Sequence, residues 1–358
     1  MREITVSGSP RRMGEEHGEA ARDLIAELFA TRFELIMGQM AAAVGGRPAS
    51  DGAVAVESWT RTIAGEIAAR LPDVATELEG VGRGSGLAPW ELVVAGGYTD
   101  VLGGVLTPED PRTPCECTVM AVRGTGGGGA VIAGTWDSHA SASPALVLLR
   151  RQPASGVPTL SLTTAGWPAQ QGVNAAGLAF ATTNLRPRRG GPGVAYIGAL
   201  AQLLDTRSID DARGLLLGLR YCSGHYYPIA DEHGRLLLVE TCNDITAELA
   251  SDRPVVTHTN HYLARELEDE NPRDDLLQNS VERLRRAEAM VASSSAESVR
   301  RQLWTVLGDH GTAGTDVCRH GEGHETRSCA AFVIDAERRS IEFTDGPACS
   351  GVRRTVLL

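Results

Sequence analysis

The chain has 358 residues, 42% of them hydrophobic, so it is long enough to bury a substantial core. Its formal net charge of −11 argues against a nucleic-acid partner, because no cluster of lysine and arginine offsets that charge locally. Neither a signal-peptide core nor an apolar run of about 18 residues is present, which predicts a cytoplasmic protein without a membrane partner.

Helical periodicity dominates residues from about 11 to 105. Apolar residues recur near 3.6-residue spacing in residues 24–36 and again in residues 59–71. The segment "GVGRGSGLAP", residues 80–89, predicts a glycine-rich break between helices. The first third of the chain is therefore expected to form a helical layer.

Beyond Pro114 the chain changes to short runs rich in Val, Leu, Thr and Ile, separated by turn residues. Helical patterns return in residues 274–292, where Leu277, Val281 and Leu284 are in register, and in residues 295–310. A final hairpin is predicted in "CAAFVIDAERRSIEFTDG". This order predicts an α+β fold in which helices cover antiparallel sheets. The predicted strands before the two helices are "TVMAV", "AVIAGTW", "ALVLLR", "TLSLTTA", "GLAFATTN", "HYYPIAD" and "RLLLVET".

The segment "GTGGGG", residues 124–129, fits a G-x-G-x-x-G pattern but links two predicted strands. A dinucleotide site needs a helix N-terminus after the glycines, so a hairpin loop is the better interpretation. The sequence also lacks G-x-S-x-G and H-E-x-x-H, the signatures of two common hydrolase types.

Two histidine-containing segments leave a metal site open. The segment "CRHGEGHETRSC" carries Cys318, His320, His324 and Cys329, but their spacing matches no standard zinc finger. The two histidines of "HTNH" are also compatible with a metal, although a bend that exposes Asn260 explains them equally well. Polar structural roles are favoured at both places.

Seven cysteines, an odd number, are scattered along the chain, which does not resemble a secreted disulfide framework. Mostly reduced thiols are therefore expected, and one of them is available for catalysis. Cys115 and Cys117 stand directly before the first predicted strand. Residue type alone predicts that both are small buried hydrophobes.

Two neighbours of Cys117 favour a chemical role for it. Thr118 follows directly, and Asp137 in "GTWDSH" ends the next strand, so one hairpin returns it beside Cys117. If the bond before Cys117 is cut, its free α-amine, with a pKa of about 7.7 to 8.0, takes the thiol proton without a histidine. Such a site further needs an acid to orient the amine and donors for an oxyanion.

Six motifs run in order along the chain: "GSPRRMGEEHGEAAR", "CT" before a strand, "G-x-W-D" after it, "GVNAAGLAFATTNL", "HTNH" and "GPAC". In order and spacing the sequence resembles the acyl-CoA:6-aminopenicillanic acid acyltransferase type of N-terminal nucleophile (Ntn) hydrolases. It is more distantly similar to bile-salt hydrolases and penicillin V acylases. The resemblance extends over nearly the whole chain.

The resemblance implies a four-layer αββα sandwich of antiparallel sheets that matures by self-cleavage before Cys117. Residues 1–116 would form a helical N-terminal segment, the propeptide or α chain, and residues 117–358 a β-rich catalytic segment. Together they would make one structural domain. Cys115 would then remain on the propeptide side.

The resemblance also implies the other site residues. Asp137 matches the aspartate that holds the nucleophile's amine, and Asn184 and Asn260 match asparagines around the oxyanion and the amine. Arg327 in "ETRSC" falls where the family carries an arginine. No cofactor and no metal are implied.

Two positions depart from these families. Glu116 precedes the nucleophile where well-known acyltransferases have glycine, which puts self-cleavage in question. Bile-salt hydrolases carry an arginine where this chain has Gly134 or Thr135, which argues against their substrates.

The expected activity is that of an N-terminal-cysteine amidohydrolase or acyltransferase that forms a thioester on Cys117. Its partner would be a small N-acyl substrate, with water, an amine or an acyl-CoA completing the reaction, and a homo-oligomer is left open. The alternatives are a metal-dependent hydrolase that uses the His and Cys loops and a non-catalytic protein that retains the sandwich. Specificity depends on variable loops, so the acyl group is not predicted.

Overall fold

The computed structural model describes residues 1–43, 49–106, 116–188, 190–292, 294–311 and 315–358. Within these ranges, two sheets face each other and helices cover the outer face of each. The αββα architecture and the α+β class expected from the sequence are confirmed. Cys115 lies outside the described residues. No helix in the described ranges is long and apolar enough to cross a membrane.

Most of the helices pack in one outer layer. Residues such as Ile63 and Leu200 of this layer share a core with Phe180 and Val239 of the larger sheet. The helices are α1 (Pro10–Ala20), α2 (Arg22–Ala42), α3 (Ala49–Arg70), α4 (Pro72–Ser85), α5 (Pro89–Gly96), α6 (Tyr98–Val105), α7 (Tyr196–Leu203) and α8 (Ile209–Gly218).

The larger sheet has nine strands in the described residues, in the order β1-β4-β5-β6-β7-β9-β10-β11, with β8 also paired to β9. The pairing of β1 with β4 is parallel, so the expectation of purely antiparallel sheets is wrong at this edge. The strands are β1 (Arg2–Gly8), β4 (Leu146–Pro153), β5 (Thr159–Thr164), β6 (Gln171–Asn174), β7 (Leu178–Phe180), β8 (Thr183–Leu185), β9 (Gly224–Asp231), β10 (Leu236–Cys242) and β11 (Ile245–Glu248).

The smaller sheet has six strands in the described residues, in the order β12-β2-β3-β13-β14-β15, all antiparallel. Its outer face is covered by helices α9 (Asp275–Val291) and α10 (Ala296–Leu307). Short 3-10 helices occupy Ala140–Ala145 and Arg265–Glu270. The strands are β2 (Thr118–Val122), β3 (Val131–His139), β12 (Val255–His258), β13 (Thr326–Asp335), β14 (Ser340–Asp345) and β15 (Arg354–Leu357).

Strand β2 is buried on both faces because it lies between two apolar layers. Val119 faces the other sheet and packs in one core with Leu148 and Leu160. Met120 and Val122 point the opposite way, toward α9 and α10. This alternation follows from the two-residue repeat of a strand, and it explains why "TVMAV" is apolar nearly throughout.

The inner face predicted for α9 is wrong. The predicted register of Leu277, Val281 and Leu284 would bury Val281, which is 44% exposed. The buried face instead contains an arginine, which the apolar pattern could not count. Its members are Ser280, Arg283, Ala287 and Val291.

The predicted break at residues 80–89 is also wrong in part, since α4 continues to Ser85. The glycines lie where α4 crosses α1. A Cβ on Gly80 would lie 2.1 Å from the carbonyl oxygen of Arg11, and a Cβ on Gly14 would lie 1.9 Å from that of Glu77. Glycine is required here because the two helix backbones are in direct contact.

We expect Gly80→Ala to destabilise the protein by about 1 to 3 kcal/mol, because the added methyl must push two helix backbones apart. Gly65→Ala is the matched control, since a Cβ on Gly65 of α3 has no neighbour within 4 Å. That control should stabilise by about 0.5 to 1 kcal/mol through helix propensity. Denaturant unfolding of both variants measures the difference, and equal effects would contradict the close crossing.

Candidate active site

Cys117 lies directly before β2, with its side chain 7% exposed. The β2–β3 hairpin pairs Thr118 with Thr135, which places Asp137 next to Cys117. The backbone N–H of Asp137 donates to Cys117 Sγ at 3.4 Å, and the Asp137 carbonyl oxygen lies 3.6 Å from the same sulfur. The two residues that the sequence paired are therefore in contact.

The Asp137 carboxyl group is buried and only partly satisfied. Thr135 Oγ1 donates to Oδ2 at 3.2 Å, and the Ser328 side chain also hydrogen-bonds the carboxyl group. Oδ1 has no hydrogen-bond partner among the described residues. Burial raises the pKa of Asp137 to about 7, although Ser328 and the cations of Arg319 and Arg283 oppose this shift.

Cys117, Asp137 and Asn184 line one cleft, so the structure brings these three together. Residues of both sheets and of helices α2, α6 and α7 line the cleft. Four further lining residues carry polar atoms that lack a hydrogen-bond partner among the described residues. These atoms are Thr99 Oγ1, Gln170 Oε1, Gln171 Oε1 and Thr182 Oγ1.

Tyr196 and His225 form another part of the cleft wall, with their rings stacked at a centroid distance of 4.1 Å. Burial lowers the pKa of His225 to about 3, so the imidazole is neutral at neutral pH. The nearby Asp100 carboxyl accepts the Tyr196 N–H at 2.8 Å. His225 therefore contributes polar atoms to this wall but no charge at neutral pH.

Arg283 is a site residue that the sequence analysis missed. It projects from α9, and its Nη1 donates to the Cys117 carbonyl oxygen at 2.8 Å and to Thr118 Oγ1 at 3.0 Å. Its Nη2 donates to Asn260 Oδ1 at 2.8 Å. Burial lowers its pKa to about 10, which still leaves the guanidinium charged at neutral pH. The available signal was its spacing of three and four residues from Ser280 and Ala287.

Asn260 lies behind the cleft that holds Cys117. Its Nδ2 donates to the Asn184 carbonyl oxygen at 2.9 Å, and its backbone N–H donates to Ser280 Oγ at 2.8 Å. It borders a second, smaller cleft together with Glu116 and Arg283. In this uncut chain, Asn260 is therefore connected to Cys117 through Arg283.

Glu116, which stands where the sequence resemblance implies a glycine, is 6% exposed and held by an ion pair. Arg319 Nη2 lies 2.6 Å from Glu116 Oε2. The same nitrogen donates to Asn279 Oδ1 at 3.1 Å, and Arg283 Nε donates to that oxygen at 2.9 Å. The two arginines are thus fixed to each other through Asn279, one on each side of the bond before Cys117.

Arg327 lies outside this group. It sits in β13 opposite Ser138, is half-buried, and its guanidinium lies near Gly346. It lines neither the cleft of Cys117 nor the cleft of Asn260. The structure therefore does not bring Arg327 together with Cys117, Asp137, Asn184 and Asn260.

Protein groups already hold the two histidines of "HTNH". His258 Nε2 lies 2.7 Å from Glu240 Oε1, and His261 Nδ1 lies 2.8 Å from Ser280 Oγ. Burial lowers the pKa of His261 to about 4. These contacts favour a structural role over metal binding for this segment.

A family model described as acyl-coenzyme A:6-aminopenicillanic acid acyl-transferase matches residues 124–344, which is more than half of the chain. The chain therefore belongs to this family, and the resemblance seen in the sequence is confirmed. It is an enzyme of the amide hydrolase or acyltransferase type. The matched range includes Asp137, Asn184, Asn260 and Arg327 but begins after Cys117.

Solved structures with similarity to this chain include a penicillin V acylase from Agrobacterium tumefaciens, with 13% sequence identity and a TM-score of 0.40. That comparison covers 68% of this chain and 86% of the acylase. A mutant of the conjugated bile acid hydrolase from Clostridium perfringens is 10% identical with a TM-score of 0.42, covering 68% of this chain and 97% of the hydrolase. Family membership rests on the family model and not on these similarities.

We expect the contribution of Asp137 to the stability of the uncut chain to fall as the pH rises from about 4 to about 7. The folded chain holds the Asp137 proton more tightly than the unfolded chain, whose pKa is near 3.8, so folding loses this advantage as the pH passes through about 7. The contribution is on the order of 4 kcal/mol at most. The test is urea unfolding across this range in Cys117→Ala, which prevents cleavage. Its free energy of unfolding should fall with rising pH relative to that of Cys117→Ala/Asp137→Asn. Identical pH profiles would contradict the raised pKa.

Proposed function

We propose that the protein is an N-terminal-cysteine amidohydrolase or acyltransferase whose nucleophile is Cys117. The observation that carries the proposal is the contact between the Cys117 thiol and Asp137, in a cleft that Asn184 also lines. Asp137 Oδ1 lacks a partner within the described residues, so it can accept a hydrogen bond from an amine on Cys117. Family membership supports the same chemistry.

Self-cleavage would expose that amine. Cys117 Sγ attacks the Glu116 carbonyl carbon, the peptide C–N bond breaks, and the nitrogen leaves as the new α-amine of Cys117. Water then hydrolyses the thioester, which returns the thiol and leaves a carboxylate on Glu116. Asp137 lies beside the residue that gains the new amine, and Arg319 pairs with the side-chain carboxylate of Glu116.

The same thiol would then act on the substrate. The Cys117 α-amine takes the thiol proton, the thiolate attacks the substrate's amide carbon, and the resulting ammonium protonates the departing amine. Attack by water on the thioester completes hydrolysis, and attack by an amine completes acyl transfer. Asp137 would orient the α-amine, and Asn184 and Asn260 would serve the oxyanion or the amine.

The cleft favours a small substrate with polar groups. A small molecule held in this cleft would lie within reach of the Cys117 thiol, because Cys117 is part of the cleft lining. The unpartnered side-chain oxygens of Gln170 and Gln171 accept hydrogen bonds, and the hydroxyls of Thr99 and Thr182 accept or donate them. An N-acyl compound with an apolar part as well as hydrogen-bond donors fits this lining, because Tyr98, Trp136 and Tyr196 line the same cleft. We also propose that the protein is cytoplasmic, in line with reduced thiols.

We expect purified protein to consist of two associated fragments, residues 1–116 and 117–358. They should stay together because β1 pairs with β4 across the cut and the N-terminal helices cover the nine-stranded sheet. Intact mass and N-terminal sequencing measure the cut. Cys117→Ala should remain one chain, whereas Cys115→Ala should cleave and turn over N-acyl substrates normally, with Cys117 labelled fastest by a thiol reagent.

The result that contradicts this proposal is an active enzyme that consists only of the uncut chain. Cleavage in Cys117→Ala would equally assign the cut to another group. Product analysis with an N-acyl panel, with and without an added amine or an acyl-CoA, separates hydrolysis from transfer. A fully cleaved protein that turns over no member of the panel would support self-cleavage. It would also show that the proposed class of N-acyl substrates is wrong.

Matched variants of Arg283 and Arg327 test which of these two arginines supports catalysis. We expect Arg283→Met to lower kcat by about 100-fold or more in correctly cleaved protein, because Cys117 and Asn260 lose a positioned donor. Arg327→Met should change kcat far less, because Arg327 lines neither cleft. Steady-state kinetics on folded, cleaved fractions measure both. A severe loss in Arg327→Met with a nearly normal Arg283→Met would restore the family-based assignment.

A further inference from the structure

A second cluster of reactive side chains lies outside both clefts. It contains His310, Cys318, His320 and Cys349, whose ligand atoms all lie within 4.8 Å of one another. These residues come from the segment after α10, the segment before β13 and the turn after β14. Folding therefore gathers two imidazoles and two thiols from distant parts of the sequence.

The distances within this cluster suit a tetrahedral metal. His320 Nε2 lies 3.1 Å from His310 Nε2, 3.3 Å from Cys349 Sγ and 3.7 Å from Cys318 Sγ. Zinc binds nitrogen at about 2.0 to 2.1 Å and sulfur at about 2.3 Å, which puts tetrahedral ligand atoms about 3.3 to 3.8 Å apart. The distances from His320 Nε2 to the other three ligand atoms are thus close to the spacing of ligands around one ion.

We propose that His310, Cys318, His320 and Cys349 form a structural zinc site. Two cysteines and two histidines are a ligand set that selects zinc, and two thiolates balance the charge of the divalent ion. Four protein ligands complete the tetrahedron and leave no position for a substrate, which distinguishes a structural from a catalytic site. This proposal departs from the expectation that the chain binds no metal.

The surroundings of the cluster hold its ligands in place. The N–H of Cys318 donates to the Asp309 carbonyl oxygen at 2.9 Å. Arg286 of α9 in turn binds the Asp309 carboxylate at 2.5 and 2.9 Å. The ligand-bearing segments are therefore preorganised by contacts that do not involve the metal.

The sequence pattern had identified only half of this set. It grouped Cys318 and His320 with His324 and Cys329, but these last two have other neighbours. His324 Nδ1 lies 3.3 Å from Ser141 Oγ, and Cys329 Sγ lies 3.6 Å from the His139 carbonyl oxygen. They serve as matched controls because they are a histidine and a cysteine from the same segment.

The site has a structural connection to the bond before Cys117. Arg319 stands between the ligands Cys318 and His320 and forms the ion pair with Glu116. A bound zinc would fix the short segment that carries Arg319 and thereby hold Glu116. Zinc would act on maturation through position alone, since none of its ligands lines the Cys117 cleft.

The test is metal content of the full chain, which does not depend on catalytic activity. We expect about one zinc per chain in the wild type, in His324→Ala and in Cys329→Ala. Cys318→Ser and His320→Ala should lose the metal, and so should Cys349→Ser and His310→Ala, whose altered side chains are exposed and least disturb folding. Cobalt(II) replacement in the wild type should give thiolate-to-cobalt charge-transfer bands and the intense visible bands of tetrahedral coordination.

Three results would overturn the proposal. They are zinc content that is equal in wild type and all four ligand variants, octahedral cobalt without thiolate bands, and a Cys318–Cys349 disulfide in freshly purified, metal-free protein. Circular dichroism of His310→Ala and Cys349→Ser confirms that a lost metal reflects a lost ligand and not an unfolded chain. For the connection to maturation, Arg319→Gln should keep the zinc but slow cleavage, whereas unchanged cleavage would limit zinc to a local structural role.

Discussion

The buried guanidinium of Arg283 is the constraint on which the candidate site depends. A buried cation is costly unless every donor is satisfied, and here carbonyl, hydroxyl and amide oxygens surround it. Those oxygens belong to β2 and to the segment after β12, while the arginine belongs to α9. Satisfying one charge therefore fixes a helix and two segments of the smaller sheet in a single arrangement around Cys117.

The charges around the candidate cleavage point form a balanced set. Arg319 and Arg283 share the side-chain oxygen of Asn279, so the two cations do not move independently. Glu116 compensates one of them, and the partly satisfied Asp137 lies on the other side of the thiol. Glu116 is therefore more than a bulky substitute for glycine, because it supplies the anion that a buried arginine at this place requires.

Short-range patterns in the sequence predicted most strands and the β2–β3 hairpin, because an alternating or β-branched run between turn residues specifies its own local structure. They missed α7, whose residues are buried nearly all round, so that no polar face marks its period. The pattern also missed helix α8 and the strands β1, β6, β11, β12 and β15. Glycines in α4 were misread because their purpose, contact with α1, appears only once distant segments meet.

The candidate site also contains some residues that local sequence brings together and others that only the packing of distant segments brings together. Cys117 and Asp137 are joined by one hairpin, so their proximity follows from local sequence. Arg283 and the pairing of Cys318 and His320 with His310 and Cys349 depend on packing between segments that are far apart in the chain. An arginine in a helical pattern is usually a surface residue, and nothing in its immediate neighbours identifies the carbonyl that it binds.

The parallel pairing of β1 with β4 also determines how the catalytic segment would behave by itself. Strand β4 starts with four buried residues, Leu146 to Leu149, and β1 covers its outer edge. A polypeptide that began at Cys117 would present this long apolar strand with a row of open backbone donors and acceptors. Exposed edges of this kind recruit other strands, so such a polypeptide would be prone to aggregate. The N-terminal segment thus covers an exposed edge of the sheet. Residues 117–358 should therefore be produced together with residues 1–116.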